Sequence, residues 1–193
     1  MRFDVRRTLG VTLMIAVLSG GLSLPQTGHA AAGKIALGVN LGAVLPSTSS
    51  SALGWGLDAF YGLSALSVGA FYSSYGVGLD VNNDSTTATV SSSTKLYGGF
   101  ARYDFSGSLQ NFYGTFRLGF SKTAATVTAT QTTTSARVSS EDSSSAMIFG
   151  PGFGYDRMVS PSFSLGGELR YVLGLSSSAA KSLSLLFSAK FWF

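Results

Sequence analysis

The chain contains no cysteine. A disulfide framework, a thiolate metal site and lipid attachment at an N-terminal cysteine are all excluded, and a cysteine-free chain suits the oxidising exterior of a cell. Histidine is nearly absent too. The single one, His29, lies in a segment read below as a leader. A base titrating near neutrality is therefore lacking; no catalytic residue, metal or cofactor is expected. Charge is sparse, with Asp, Glu, Lys and Arg making up 11% of the chain and no basic run among them. That sets nucleic acid aside as a partner. Beyond the leader no stretch has helical periodicity, and no uninterrupted apolar run is long enough for a spanning helix.

Residues 1–32 read as a secretory signal peptide. Arg2, Arg6 and Arg7 form a positive start, residues 9–24 are mostly apolar, Pro25 breaks the run, and Ala30-Ala31-Ala32 supplies an A-x-A cleavage pattern. Cleavage is expected after Ala32, with Ala30 as the alternative. The apolar run falls short of the ~20 residues that a membrane anchor needs. The leader holds three of the 13 Lys+Arg residues and one of the 9 Asp+Glu residues, so the formal charge falls from +4 to +2 in the mature chain. Residues 33–193 are expected to form one domain.

That domain is rich in glycine, serine, threonine and aromatics, and a period of two runs through it. In the last stretch Leu183, Leu185, Phe187, Ala189, Phe191 and Phe193 alternate with Ser182, Ser184, Leu186, Ser188, Lys190 and Trp192. Such alternation marks a strand whose two faces meet different solvents. The same pattern predicts strands over 34–44, 55–63, 66–75, 95–105, 111–122, 146–156, 163–173 and 182–193. Short turns are expected near Ser64-Ala65, Ser106-Gly107-Ser108 and Val159-Ser160-Pro161-Ser162. The other connections, 45–54, 76–94, 123–145 and 174–181, are long or polar. The second of these carries a turn signal at Asn82-Asn83-Asp84. The third, with the β-prone Thr126, Val127, Thr128 and Val138, reads as a hairpin projecting beyond the membrane with its tip near 132–134. Pro151 removes a ladder donor, so a bulge or local break is expected there.

The fold class that follows is all-β: an eight-stranded antiparallel up-and-down transmembrane barrel. The strand lengths fit tilted membrane strands. Short and long connections alternate as periplasmic turns and external loops do, and an even strand count leaves both termini periplasmic. The charges decide which face meets lipid. Asp58, Arg102, Asp104, Arg117, Asp156, Glu168, Arg170 and Lys190 all fall opposite the bulky apolar set. An Arg or Lys facing lipid near the midplane costs roughly 2–4 kcal/mol, so the charged face is assigned to the lumen. A soluble barrel would turn these groups outward, but the aromatics oppose that arrangement. Tyr61, Tyr103, Phe105, Phe112, Tyr155, Phe163 and Phe193 sit beside the short turns, and Trp55, Tyr72 and Tyr97 at the opposite ends. These are the two girdles of a membrane barrel.

Across essentially all of the mature region the chain resembles the small outer-membrane β-barrel family of OmpA/OmpX type. The resemblance is carried by the leader, Gly-Pro-Gly-Phe-Gly-Tyr-Asp (150–156), Ser-Pro-Ser-Phe-Ser-Leu-Gly-Gly-Glu-Leu-Arg-Tyr (160–171) and the terminal Phe193. It implies a place in the bacterial outer membrane, contact with outer-membrane lipid and, through Phe193, recognition by the barrel-assembly machinery. No peptidoglycan-binding domain is expected after Phe193. Barrel enzymes of this membrane, such as the lipid A deacylase, lipid A palmitoyltransferase and omptin protease families, depend on a histidine base that the mature chain lacks.

An eight-stranded barrel is just wide enough to be filled by its own side chains, where an unpaired charge is strongly unfavourable. An interior ion-pair network is therefore expected, centred on Glu168 with Arg117, Arg102 and Lys190. A gated path for ions is the competing use of the same residues. The external connections carry Ser, Thr, Asn, Asp and Ala, whereas binding hot spots favour Trp, Tyr and Arg; Arg137 is the only such residue clearly in a large loop. A structural or surface protein of unspecified ligand ranks first. Adhesion to a cell-surface partner through the 123–145 hairpin, by strand addition, ranks second, and a small-solute channel third.

Overall fold

The computed structural model describes residues 33–47, 51–83, 86–105, 111–131, 137–175 and 181–193. The leader, the hairpin tip near 132–134, Asp84 and the Ser106-Gly107-Ser108 turn lie outside them. Eight strands close into one antiparallel barrel in chain order: β1 (Ile35–Pro46), β2 (Ala52–Gly62), β3 (Leu66–Asn83), β4 (Thr86–Asp104), β5 (Phe112–Gln131), β6 (Arg137–Ser160), β7 (Phe163–Gly174) and β8 (Ser182–Trp192). β1 pairs with β8 to complete the ring. Closure gives every strand a paired neighbour on both sides, as hydrocarbon demands.

The strands are staggered. Ala36 pairs with Phe60, Phe60 with Gly69, Gly69 with Phe100, Phe100 with Arg117, and Arg117 with Gly150. The register runs on through Val172 and Ser182 and returns to β1 at Pro46, ten residues beyond Ala36. At ~3.3 Å per residue and ~4.8 Å between strands, this stagger tilts the strands by roughly 40°.

The wall is polar inside and apolar outside. Ile35, Leu37, Val39 and Leu41 of β1 point outward and are 49–52% exposed, while all eight lumen charges are 2–4% exposed. Outward aromatics gather at the two ends. Tyr103, Phe105, Phe112, Phe153 and Tyr155 form one continuous ring-to-ring cluster beside the short turns, joined at the same end by Phe163 against Phe191. Trp55 meets Tyr72, and Tyr97 meets Phe120, at the other end.

Two expectations need correction. The 76–94 stretch is not a loop: β3 and β4 stay paired from Tyr75 with Thr94 out to Asn83 with Thr86. β4 pairs with β5 as far as Thr86 with Gln131, and β5 with β6 as far as Thr130 with Arg137. Pairing with the flanking strands stops much earlier, at Gly54 with Tyr75 and at Ile148 with Gly174. Four strands thus rise past the wall as one sheet. There the described side chains on both faces are exposed or half-buried, and Thr and Val sustain a ladder without any polar–apolar alternation. At Pro151 the expected local break is present, without a bulge. Pairing with β7 lapses at Gly150 and Pro151, where the donor is missing, and resumes in the same register on either side. The register shift lies instead between Met158 and Ser160, at the end of β6. The second correction concerns the ion pairs and follows from the stagger.

Candidate functional site

The lumen gathers the chemistry of this chain. Alternation turns one residue in two inward, and on β2, β4, β5, β6, β7 and β8 those inward positions include Asp58, Arg102 and Asp104, Arg117, Asp156, Glu168 and Arg170, and Lys190. The stagger sorts them into two groups at two heights.

The first group is Asp58, Arg117, Glu168 and Arg170. Arg117 spans the lumen and donates from Nη1 and Nη2 to the two carboxylate oxygens of Asp58, at 3.0 and 3.1 Å. Its Nη2 also donates to Glu168 Oε2 at 3.3 Å. Arg170 Nε donates to Glu168 Oε1 at 3.0 Å, as does Thr115 Oγ1 at 3.1 Å. Asn40 Nδ2 donates to Asp58 Oδ2 at 2.8 Å. The second group is Arg102, Asp104, Asp156 and Lys190. Arg102 Nε donates to Asp104 Oδ1 at 2.8 Å and its Nη1 to Asp156 Oδ2 at 2.5 Å. Lys190 bonds the same Asp156 oxygen. Arg102 and Lys190 therefore pair with Asp156, not with Glu168 as expected; Glu168 keeps Arg117 and adds Arg170. Counting in from the turns ignores a stagger that shifts each strand against its neighbour.

Each group holds two cations and two anions and is formally neutral. That matters because desolvated charges are retained at acceptable free energy only when paired and hydrogen-bonded. Tyr113 stands between the groups: its hydroxyl accepts from Lys190 Nζ at 3.3 Å. Aromatic faces complete the solvation. Arg117 Cζ lies 4.6 Å from the Phe100 ring centre and 4.9 Å from that of Phe71, and Arg102 Cζ lies 3.8 Å from that of Tyr113. Cation–π contacts are strongest where water is excluded. Asn40, Phe71, Phe100 and Tyr113 had no assigned role in the sequence. Their signal was an aromatic or amide on the charged face of a strand.

Apolar side chains close the lumen at both ends of these groups. Towards the short turns Trp192 packs edge-on against Phe60 and donates from Nε1 to Ser164 Oγ at 3.0 Å. Towards the long hairpins Val44, Tyr75, Leu96, Ile148 and Val172 are buried in the core cluster. The gap between Arg170 and this layer, lined also by Ser184 and Leu186, has a volume of ≈ 10 Å³, no more than one water's worth. Among the described residues no cluster of three potential metal ligands occurs. Phe193 lies at the short-turn end, its side chain exposed and its backbone paired with Ile35.

No protein-family model matches the chain, and no curated protein is significantly similar to it in sequence. Solved structures are similar in fold. The attachment invasion locus protein Ail of Yersinia pestis, in complex with the heparin analogue sucrose octasulfate, is 14% identical with a TM-score of 0.58 over 84% of this chain and 99% of Ail. A second structure of Ail gives 14% identity and a TM-score of 0.53 over the same shares. Neisserial surface protein A is 17% identical with a TM-score of 0.45 over 86% and 96%. The chain is thus an eight-stranded antiparallel β-barrel of the bacterial outer-membrane type.

Proposed function

We propose that this chain is a closed, non-catalytic barrel that holds a four-stranded sheet above the outer leaflet of the outer membrane. One observation carries the closed state: both charge groups are neutral and internally paired, with apolar layers above and below them. An ion entering would have to break buried pairs and cross an apolar constriction, and eight-stranded barrels are narrow to begin with. The eight charged residues serve on this view to fix the packing between strands rather than to conduct. On this reading both termini are periplasmic, residues 1–32 are the export leader and Phe193 is the assembly signal. Recording in planar bilayers tests the closed lumen: the expected trace is flat, and stable large conductance steps overturn it.

A second use of the sheet is favoured by its edges. Among the described residues β3 over 76–83 has no partner on its β2 side, and β6 over 137–146 has none on its β7 side. Unpaired strand edges accept an added strand, which would make the sheet an adhesive surface. Ail, whose structure holds a heparin analogue, shares the barrel but only 14% of its residues. Cells displaying the chain with and without residues 126–141 separate the two roles: loss of cell binding supports adhesion, and unchanged binding leaves the sheet structural.

A further inference from the structure

One group of side chains on the outside of the wall is used by nothing above. Lys95 on β4 and Lys122 on β5 are direct cross-strand partners. Both are exposed, and each alternates with a buried lumen residue, Leu96 and Ser121, so both face outward. The row continues to Ser74 on β3 and to Ser145 on β6. Like charges directly opposite one another, with Cβ atoms about 4.5–5.5 Å apart, destabilise a sheet. Among the described residues neither lysine has a carboxylate partner. The carboxylate nearest along β6 on that face, Glu141, stands four positions beyond Ser145, about 13 Å away at strand spacing. Two ammonium groups flanked by two hydroxyls make a cradle for an anion.

The height of the row says which anion. One row nearer the bilayer, the same four strands present Tyr72, Tyr97, Phe120 and Met147, part of the girdle at that end. In the two rows further out, Gly76, Ser93 and Ala124, then Gly78, Ser91 and Thr126, line an open depression of ≈ 380 Å³. The sequence of surfaces is apolar, then cationic, then small and polar. A phosphorylated glycolipid presents the matching order of acyl chain, phosphate and sugar. We propose that the Ser74, Lys95, Lys122 and Ser145 row binds the phosphate of a phosphorylated glycolipid in the outer leaflet, with its sugar against the small-residue depression. The proposal rests on the orientation given above.

The test uses the full mature barrel refolded in detergent micelles and titrated with bisphosphorylated lipid A under native mass spectrometry. Each lysine near an anionic interface contributes enough that K95Q/K122Q is expected to weaken lipid A binding about 30-fold. K95R/K122R is expected to retain it, and Lys34→Gln, at the opposite end, to change it less than about twofold. Lipid A stripped of its phosphates is expected to bind the native chain as weakly as bisphosphorylated lipid A binds K95Q/K122Q. Heat-modifiable gel migration verifies that each variant is folded. Equal affinity of K95Q/K122Q and the native chain overturns the site. Inorganic phosphate or a soluble sulfated glycan displacing lipid A at matched concentration overturns the lipid as its source. Orientation fails separately: a Ser91→Cys variant that reacts only from the periplasm removes the outer-leaflet assignment while the micelle titration still reads the site.

Discussion

Arg117 on β5 grips Asp58 on β2 across the lumen through two parallel hydrogen bonds of 3.0 and 3.1 Å. These strands are not neighbours in the wall, so the pair ties together opposite sides of the barrel. The same guanidinium reaches Glu168 on β7. Removing it leaves two carboxylates facing the single charge of Arg170. Arg117→Met is therefore expected to lower stability by about 3–5 kcal/mol, read as a drop in the urea midpoint in detergent. Adding Asp58→Asn restores neutrality with Glu168 still paired to Arg170, and the double variant is expected to recover part of the loss. A double variant no more stable than Arg117→Met would show that stranded charge is not the cause.

Tyr113 separates two contributions that lie on one side chain. Its hydroxyl accepts from Lys190, while its ring lies under Arg102 and beside Lys190. Tyr113→Phe removes only the hydroxyl, which also donates to Glu168 Oε2 at 3.5 Å, and is expected to cost about 1.5–3 kcal/mol. Tyr113→Leu also removes the cation–π face, worth about 2 kcal/mol where water is excluded, and is expected to lie clearly below it. Thermal unfolding of the two variants, followed by heat-modifiable migration, gives the order.

Room for that ring comes from the facing strand. Tyr113 is paired with Gly154, and a β-carbon on Gly154 would stand 2.7 Å from Tyr113 Cε2 and overlap the ring edge more closely still at Cζ and the hydroxyl. Gly154→Val is expected to destabilise the barrel by at least 1–3 kcal/mol through overpacking. Trimming the neighbour with Tyr113→Ala makes the space. The double variant is then expected to be more stable than the sum of the single losses, as contacting residues couple. Strict additivity in a urea double-mutant cycle would exclude this contact as the reason for glycine.

The inward and outward faces were legible because the membrane enforces them: a strand carrying Glu168 and Arg170 between Leu165, Leu169 and Tyr171 has only one way to face lipid. The lengths of β3 to β6 were not legible for the converse reason. Where burial is described between Gly76 and Ser93 and between Ala124 and Ser145, side chains on both faces are exposed or half-buried, so the two-residue period vanishes although the ladder continues. The membership of the two charge groups was hidden as well. Asp156 lies near the rim of its own strand yet level with Arg102 and Lys190, because height depends on the ten-residue stagger around the ring. That stagger belongs to pairing across strands, and no single strand records it.

The protruding sheet is separable from the barrel on the same grounds. Beyond Ala125 and Asp142, which are cross-strand partners, none of the described side chains of β5 or β6 touches the lumen groups or either apolar layer. Replacing residues 126–141 with Asn-Gly joins two strands already in register through the two-residue turn that hairpins favour. Shortening the connection also lowers its closure entropy slightly. The barrel is therefore expected to refold in detergent with its gel shift intact and its unfolding temperature within a few degrees of the native chain, roughly the shift of 1 kcal/mol in a domain of this size. A truncated chain that migrates identically boiled and unboiled would mean that the hairpin is needed for the wall to form. The lumen would then be only part of what holds the eight strands together.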